Sequence, residues 1–190
     1  MNYKKYILIA AVTLLGSTMV QAQTSNLTNA KFDLDKAYEK VEAEDFEAAA
    51  KELAHAVAEI EPATTHEKTA GKEKTWRYRA SIYELISRHM DKPAFAGLAN
   101  DPVSVATASY QKAMELDKKG SYEVENKRGL LVMQNLAMRT GIDRFNAEDY
   151  AGAFNMFKKS EELSSSMGLT DTLAIYNAAL SAERAKDYDN

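Results

Sequence analysis

Apolar positions recur every three or four residues along most of this chain. Phe46, Ala49, Ala50, Leu53, Val57 and Ile60 form one such stripe, the spacing of an amphipathic helix. It predicts a helix over 45–60, ended by Pro62, with a first helix over 30–43 before it. Trp76, Ala80, Tyr83 and Leu85/Ile86 mark the inner face of a third helix over 72–90. Val103, Ala106, Tyr110, Ala113 and Met114 mark a fourth. Asp101-Pro102 starts it, a capping acid followed by a proline whose missing N–H costs nothing there, and Gly120 closes it. Ser121 can cap a long fifth helix reaching Phe145, weakened by Gly129 and Gly141. Tyr150, Ala153, Phe154, Phe157 and Leu163 belong to a sixth over 148–163. Thr170 or Asp171 can cap a seventh that reaches Lys186. The connections at 63–70, 91–101 and 164–168 are polar or carry Pro93, Gly97 and Gly168. No stretch alternates as a strand does, so the expected class is all-α.

Residues 1–22 follow a different pattern. Lys4 and Lys5 precede an apolar run from Tyr6 to Leu15, and Gly16, Ser17 and Thr18 lead to Val20-Gln21-Ala22. That is the order of a secretory signal peptide. The run is too short to span a bilayer, which takes about 20 apolar residues. The expected mature chain is cleaved after Ala22, exported to the periplasm and without a membrane span. Residues 23–29 (QTSNLTN) read as a polar lead-in.

The predicted helices come in pairs, and the turns within pairs repeat. Glu44-Asp45-Phe46, Glu148-Asp149-Tyr150 and Lys186-Asp187-Tyr188 each place an acid before an aromatic. After the first two, a small residue follows (Ala49, Ala153), then a bulky one (Leu53, Phe157), then another small one (Ala56, Ser160). Helix four repeats the small–aromatic–small set at Ala106, Tyr110 and Ala113. Trp76, Ala80 and Tyr83 keep the matching spacing in the helix before it, and Gly141 and Ala179 recur at the equivalent small position. In these stretches the chain resembles the tetratricopeptide-repeat (TPR) family, whose unit is a helix–turn–helix of about 34 residues. The resemblance implies a right-handed α-solenoid of antiparallel helix pairs. It would have about three and a half units, near 30–62, 66–120, 121–166 and an incomplete 169–190. The long loop at 87–101 and the elongated fifth helix depart from the period.

Charge and composition narrow the chemistry. The chain has 24 Lys+Arg, 28 Asp+Glu and no Cys, a net charge of −4. Without Cys there is no disulfide, thiolate metal site or thiol nucleophile. The acidic balance does not suit nucleic acid, which needs a basic face. Gly71-Lys72-Glu73-Lys74-Thr75 lacks the upstream Gly and adjacent Ser/Thr of a phosphate loop. No two of His55, His66 and His89 lie a helical turn apart, so no metal pair is expected. No catalytic motif occurs, and neither an enzyme nor a cofactor is expected. The basic residues Lys68, Lys72, Lys74, Arg77 and Arg79 around Trp76 read as an exposed helix start.

The resemblance assigns a binding groove to the first helix of each unit. Its residues would be Tyr38 in the first unit, Lys74, Arg77, Ser81 and Glu84 in the second, Asn135 and Met138 in the third, and Tyr176, Asn177 and Glu183 in the fourth. The implied function is a periplasmic scaffold that binds a protein or peptide partner there. The alternative is an assembly component of a cell-envelope complex, as the N-terminal part of a longer chain. The apolar supply of 169–186 adds the expectation of self-association through the last helix. For the leader, N-terminal sequencing of the protein made in a secretion-competent bacterium should begin at or near Gln23. Intact Met1 confined to the cytoplasmic fraction would contradict it.

Overall fold

The structure, a computed structural model, describes residues 26–185. The leader, the start of the polar lead-in and the Lys186-Asp187-Tyr188 turn lie outside the described residues. Helix α1 covers residues 26–42. The others are α2 (Phe46–Thr65), α3 (Glu73–Arg88), α4 (Pro102–Leu116), α5 (Glu123–Asn146), α6 (Tyr150–Ser166) and α7 (Thr172–Ala185). The class is all-α, with no strand among the described residues.

Local chemistry explains where the helices begin. Asp45, Asp101 and Asp149 cap α2, α4 and α6. Their carboxylates accept the N–H groups of Ala48, Ser104 and Gly152 at 3.1, 3.1 and 3.0 Å. Asp171 takes the N–H of Ala174 at 2.9 Å ahead of α7. Such caps contribute roughly 0.5–2 kcal/mol each.

The two acid–aromatic turns inside the described chain are the same turn, bond for bond. Glu44 and Glu148 both lie in the left-handed region, at φ 57° and 61°. In the first turn the N–H groups of Ala43, Glu44 and Asp45 donate to the carbonyls of Glu39, Val41 and Lys40. In the second, Ala147, Glu148 and Asp149 donate to Asp143, Phe145 and Arg144 in the same order. The sequence repeat is therefore a structural repeat at these two places.

From α2 onward each helix packs on the next, α3 also packs on α5, and Lys36 of α1 pairs with Glu52 of α2 at 3.5 Å. Lys159 of α6 reaches back to the Ser104 hydroxyl at the start of α4. α3 and α5 thus adjoin, and α6 touches the start of α4. The core between them is closed by Leu53, Ile60, Ile82, Leu85, Ile86, Met133, Phe157 and Leu163. Burying a side chain of this size contributes about 1.5–3 kcal/mol.

Several local expectations are corrected. α2 runs through Pro62 to Thr65. The proline sits in the last turn, where the Thr64 hydroxyl donates to the Glu61 carbonyl at 2.7 Å and Thr69 to that of Ala63 at 2.7 Å. α4 ends at Leu116, and Gly120 (φ 66°) lies in the turn beyond it. Ser121 does not cap α5. The Asp117 carboxylate instead holds the N–H groups of Ser121 and Tyr122 at 3.0 and 2.7 Å. The 91–101 loop contains a short 3-10 turn, Pro93–Phe95, that docks on α2. Its Phe95 ring meets Phe46 and His89 at centroid distances of 6.4 and 5.4 Å.

The largest correction concerns Gly129 and Gly141, which are contact points and not weak spots. A Cβ on Gly129 would stand 2.2 Å from Cζ of Tyr110, and one on Gly141 2.7 Å from Cδ1 of Phe157. The first glycine receives a ring from the preceding pair, the second a ring from its own. Alanine in place of a helical glycine ordinarily stabilises by about 0.8–1 kcal/mol. Here Gly129→Ala and Gly141→Ala should each lose about 1–3 kcal/mol by overpacking. Gly71→Ala, which faces open space, should change little. Urea unfolding of the three variants checks the order.

Candidate functional site

Four of the residues assigned to the groove converge along α1 and α3. Glu84, only 8 % exposed, accepts the Tyr110 hydroxyl on Oε2. Its Oε1 takes Arg88 Nε and Nη2 at 2.9 and 2.6 Å. Arg77 is 9 % exposed. Its Nε meets Glu73 at 2.7 Å, its Nη1 meets Glu125 of α5 at 3.3 Å, and its guanidinium lies 3.8 Å from the Tyr122 ring centre. The Ser81 hydroxyl donates to the Arg77 carbonyl at 3.1 Å. Tyr38 stands across from this seam: burial first, and then the Glu84 carboxylate, push its hydroxyl up to about 12.

The seam is pre-paired. Burial works against the Arg77 charge, but the Glu73 hydrogen bond and the Glu73 and Glu125 carboxylates outweigh it and raise its pKa. A buried charge left without a partner would cost several kcal/mol, so these ions are held rather than on offer. The same holds for Arg79, which the basic run had placed on an exposed helix start. It makes a two-pronged contact with Glu61 at 2.8 and 3.1 Å and reaches Ser109 at 2.9 Å. Lys74 alone of the assigned α3 residues is exposed, 5.3 Å over the Tyr78 ring.

Next to the seam, an open cleft of about 420 Å³ lies between the end of α3 and the middle of α5. Arg88, His89, Val132, Asn135, Leu136 and Arg139 line it. Asn135 was assigned to the groove; the other five were not. Arg88 is legible in retrospect as the i+4 partner of Glu84, and Arg139 as the i+4 neighbour of Asn135. Val132 and Leu136 gave no signal beyond core periodicity.

Met138 and Asn177 meet across α5 and α7, the amide nitrogen 4.0 Å from the sulfur. Tyr176 and Glu183 are exposed on α7, away from the seam. Apart from exposed Lys74, the assigned residues therefore fall into four places: the α1–α3 seam, the α3–α5 cleft, the α5–α7 contact and the α7 surface. No described helix is long and apolar enough to cross a membrane. Among the described residues no cluster of three or more His, Cys, Asp or Glu is placed to hold a metal ion. Comparison with family models, with curated proteins and with solved structures finds no match to this chain.

Two tyrosines tie the interior to alkaline pH. Burial, then the Glu61 hydrogen bond, push Tyr83 up to about 12, and burial with Glu84 drives Tyr110 higher still. Between the usual value of 10.0 and about 12 the unfolded chain loses these protons while the fold keeps them. Stability should be full below pH 10 and should fall as pH rises. Tyr83→Phe should flatten that slope in urea titrations between pH 9 and 11. An unchanged slope would show that the Tyr83 proton is not held by the fold.

Proposed function

We propose that this chain is an exported interaction scaffold, a TPR-like right-handed solenoid that binds a protein or peptide segment along its odd-numbered helices. Its role is binding, without chemistry of its own. The observation that carries this reading is the pre-paired seam beside an open cleft. Arg77, braced by Glu73, ties α3 to α5 through Glu125, and Glu84 ties α3 to α4 through Tyr110. The cleft at Val132, Asn135, Leu136 and Arg139 combines an apolar floor with exposed polar ends. Preorganised surfaces of this kind bind with little ordering cost, and Arg is favoured among anchor residues.

The repeated turn at Glu44 and Glu148 supports the helix-pair array on which the reading rests. The signal-peptide order of residues 1–22 supports the periplasm. The second reading, a structural component of an envelope complex, is favoured by one observation, the exposed apolar residues of α7.

Photo-crosslinking in the periplasm tests the first reading. A benzophenone amino acid at Asn135 should capture a discrete protein adduct. One at Lys51, exposed on α2, should not. Arg139→Glu should reduce the Asn135 adduct about tenfold, the size expected for an anchor residue. Equal capture from both positions, or none from Asn135, would overturn the reading.

A further inference from the structure

One face of α5 stays uncovered along its second half. Asn135, Arg139, Ile142 and Asn146 follow one another at steps of four, three and four residues, and all four are exposed. That spacing keeps them in one row on the helix surface. The flanking helices turn the row into two recesses. Toward α3, Asn135 and Arg139 line the open cleft of about 420 Å³. Toward α7, Ile142 and Asn146 line a second recess of about 140 Å³.

The two recesses differ in chemistry. The cleft is lined by two guanidinium groups and no carboxylate. Arg88 gives its Nε and Nη2 to Glu84, so its charge is already balanced. Arg139 has no ion pair among the described residues, and Asp143 one turn further on supplies none. On a chain of net charge −4 this leaves a local positive site, which favours an acidic partner and disfavours a basic one. Asn135 donates one amide hydrogen to the Leu131 carbonyl at 2.9 Å and keeps the other for a ligand. The second recess is apolar. Phe145, Phe157 and Leu180 wall it with Ile142, and its polar lining is the amides of Asn146 and Asn177. An apolar space of about this size holds one benzene-sized group. It therefore accepts one ring or one branched aliphatic side chain, and no charge.

We infer that one extended partner segment is read by both recesses together, an Asp or Glu side chain meeting Arg139 and a Leu- or Phe-sized side chain entering between α5 and α7. The spacing follows from the helix. The centres of the 135–139 and 142–146 pairs lie about seven residues apart, or ~10 Å at the helical rise. An extended chain covers that distance in about three residues. The acid and the apolar residue of the partner thus stand three or four positions apart. The acid is an internal side chain, since the cleft is open and needs no chain end. This deepens the reading of the α3–α5 cleft as a binding site, on which it rests, by giving the chemistry of what enters.

Selection from a random twelve-residue peptide library, displayed on phage without a free C-terminus, tests it on the intact purified protein. The enriched peptides should pair Asp or Glu with Leu, Ile or Phe three or four positions away. An end-blocked synthetic peptide of the enriched sequence should then bind Arg139→Glu about tenfold or more weakly, as loss of an anchor does. Exchanging the peptide's acid for Lys should restore binding to that variant. Ile142→Lys should weaken the parent peptide to a similar degree, with helical content by circular dichroism unchanged. Lys51→Glu, the same change of charge on exposed α2, should bind as the parent does. Peptides without an acid, peptides without the fixed spacing, failure of the charge exchange, or indifference to Ile142→Lys would each overturn the proposal. If such peptides still crosslink at Asn135, the scaffold reading stands without it. Absence of any peptide that depends on the cleft would overturn both.

Discussion

The seating of aromatic rings on glycine in α5 is the contact on which the rest of the arrangement depends. Tyr110 comes from the preceding helix pair and Phe157 from the helix that follows. With no Cβ at 129 or 141, both helices approach α5 closely, and one helix joins two pairs. Any larger residue would move a whole helix, because interiors packed to crystal density transmit displacement and do not absorb it. The position of α5 in turn sets where Glu125 meets Arg77 and where Val132 and Leu136 floor the cleft.

α3 shows the complementary solution. It is buried on almost every side, although Lys, Arg and Glu make up much of its length. It tolerates this because its charges are matched. Arg77 is held by Glu73 and Glu125, Arg79 by Glu61, Glu84 by Arg88 and Tyr110. Such pairs add little net stability against apolar packing, but breaking one is costly. They fix the relative rotation of α2, α3, α4 and α5, and so keep the cleft open and in one shape. The long loop after α3 contributes similarly at the other end, closing His89 and Phe95 over Phe46. Burial there lowers the His89 pKa.

Two surfaces with different chemistry follow. The α3–α5 cleft is ringed by polar ends, among them Asn135 and Arg139, and suits a partner that brings hydrogen bonds. The α7 surface exposes Leu173, Ile175 and Tyr176 with Glu183 beside them and is the more apolar of the two. They stand on different helices, so occupation of one leaves the other accessible.

What could be read from the chain alone was what depends on neighbours in sequence. The helices follow from three-and-four spacing, and Asp101 and Asp171 announce two of their starts because a cap acts within three residues. The matching turns at Glu44 and Glu148 were legible for the same reason. The tertiary structure decided everything that depends on distant partners. Gly129 looked like a defect because the ring that needs its space comes from another helix, whereas Gly141 already stood at the repeat's small position. Pro62 looked like a stop because Thr69, which satisfies the Ala63 carbonyl of that last turn, acts only once the chain folds back beyond it. Arg77 and Arg79 looked solvated because Glu125, Glu61 and Ser109 lie far along the sequence. Arg88, Val132 and Arg139 could not be grouped as one cleft, since only the packing of α3 on α5 sets them side by side. Local hydrogen bonding writes its pattern into consecutive residues; packing and ion pairing join residues that sequence order keeps apart.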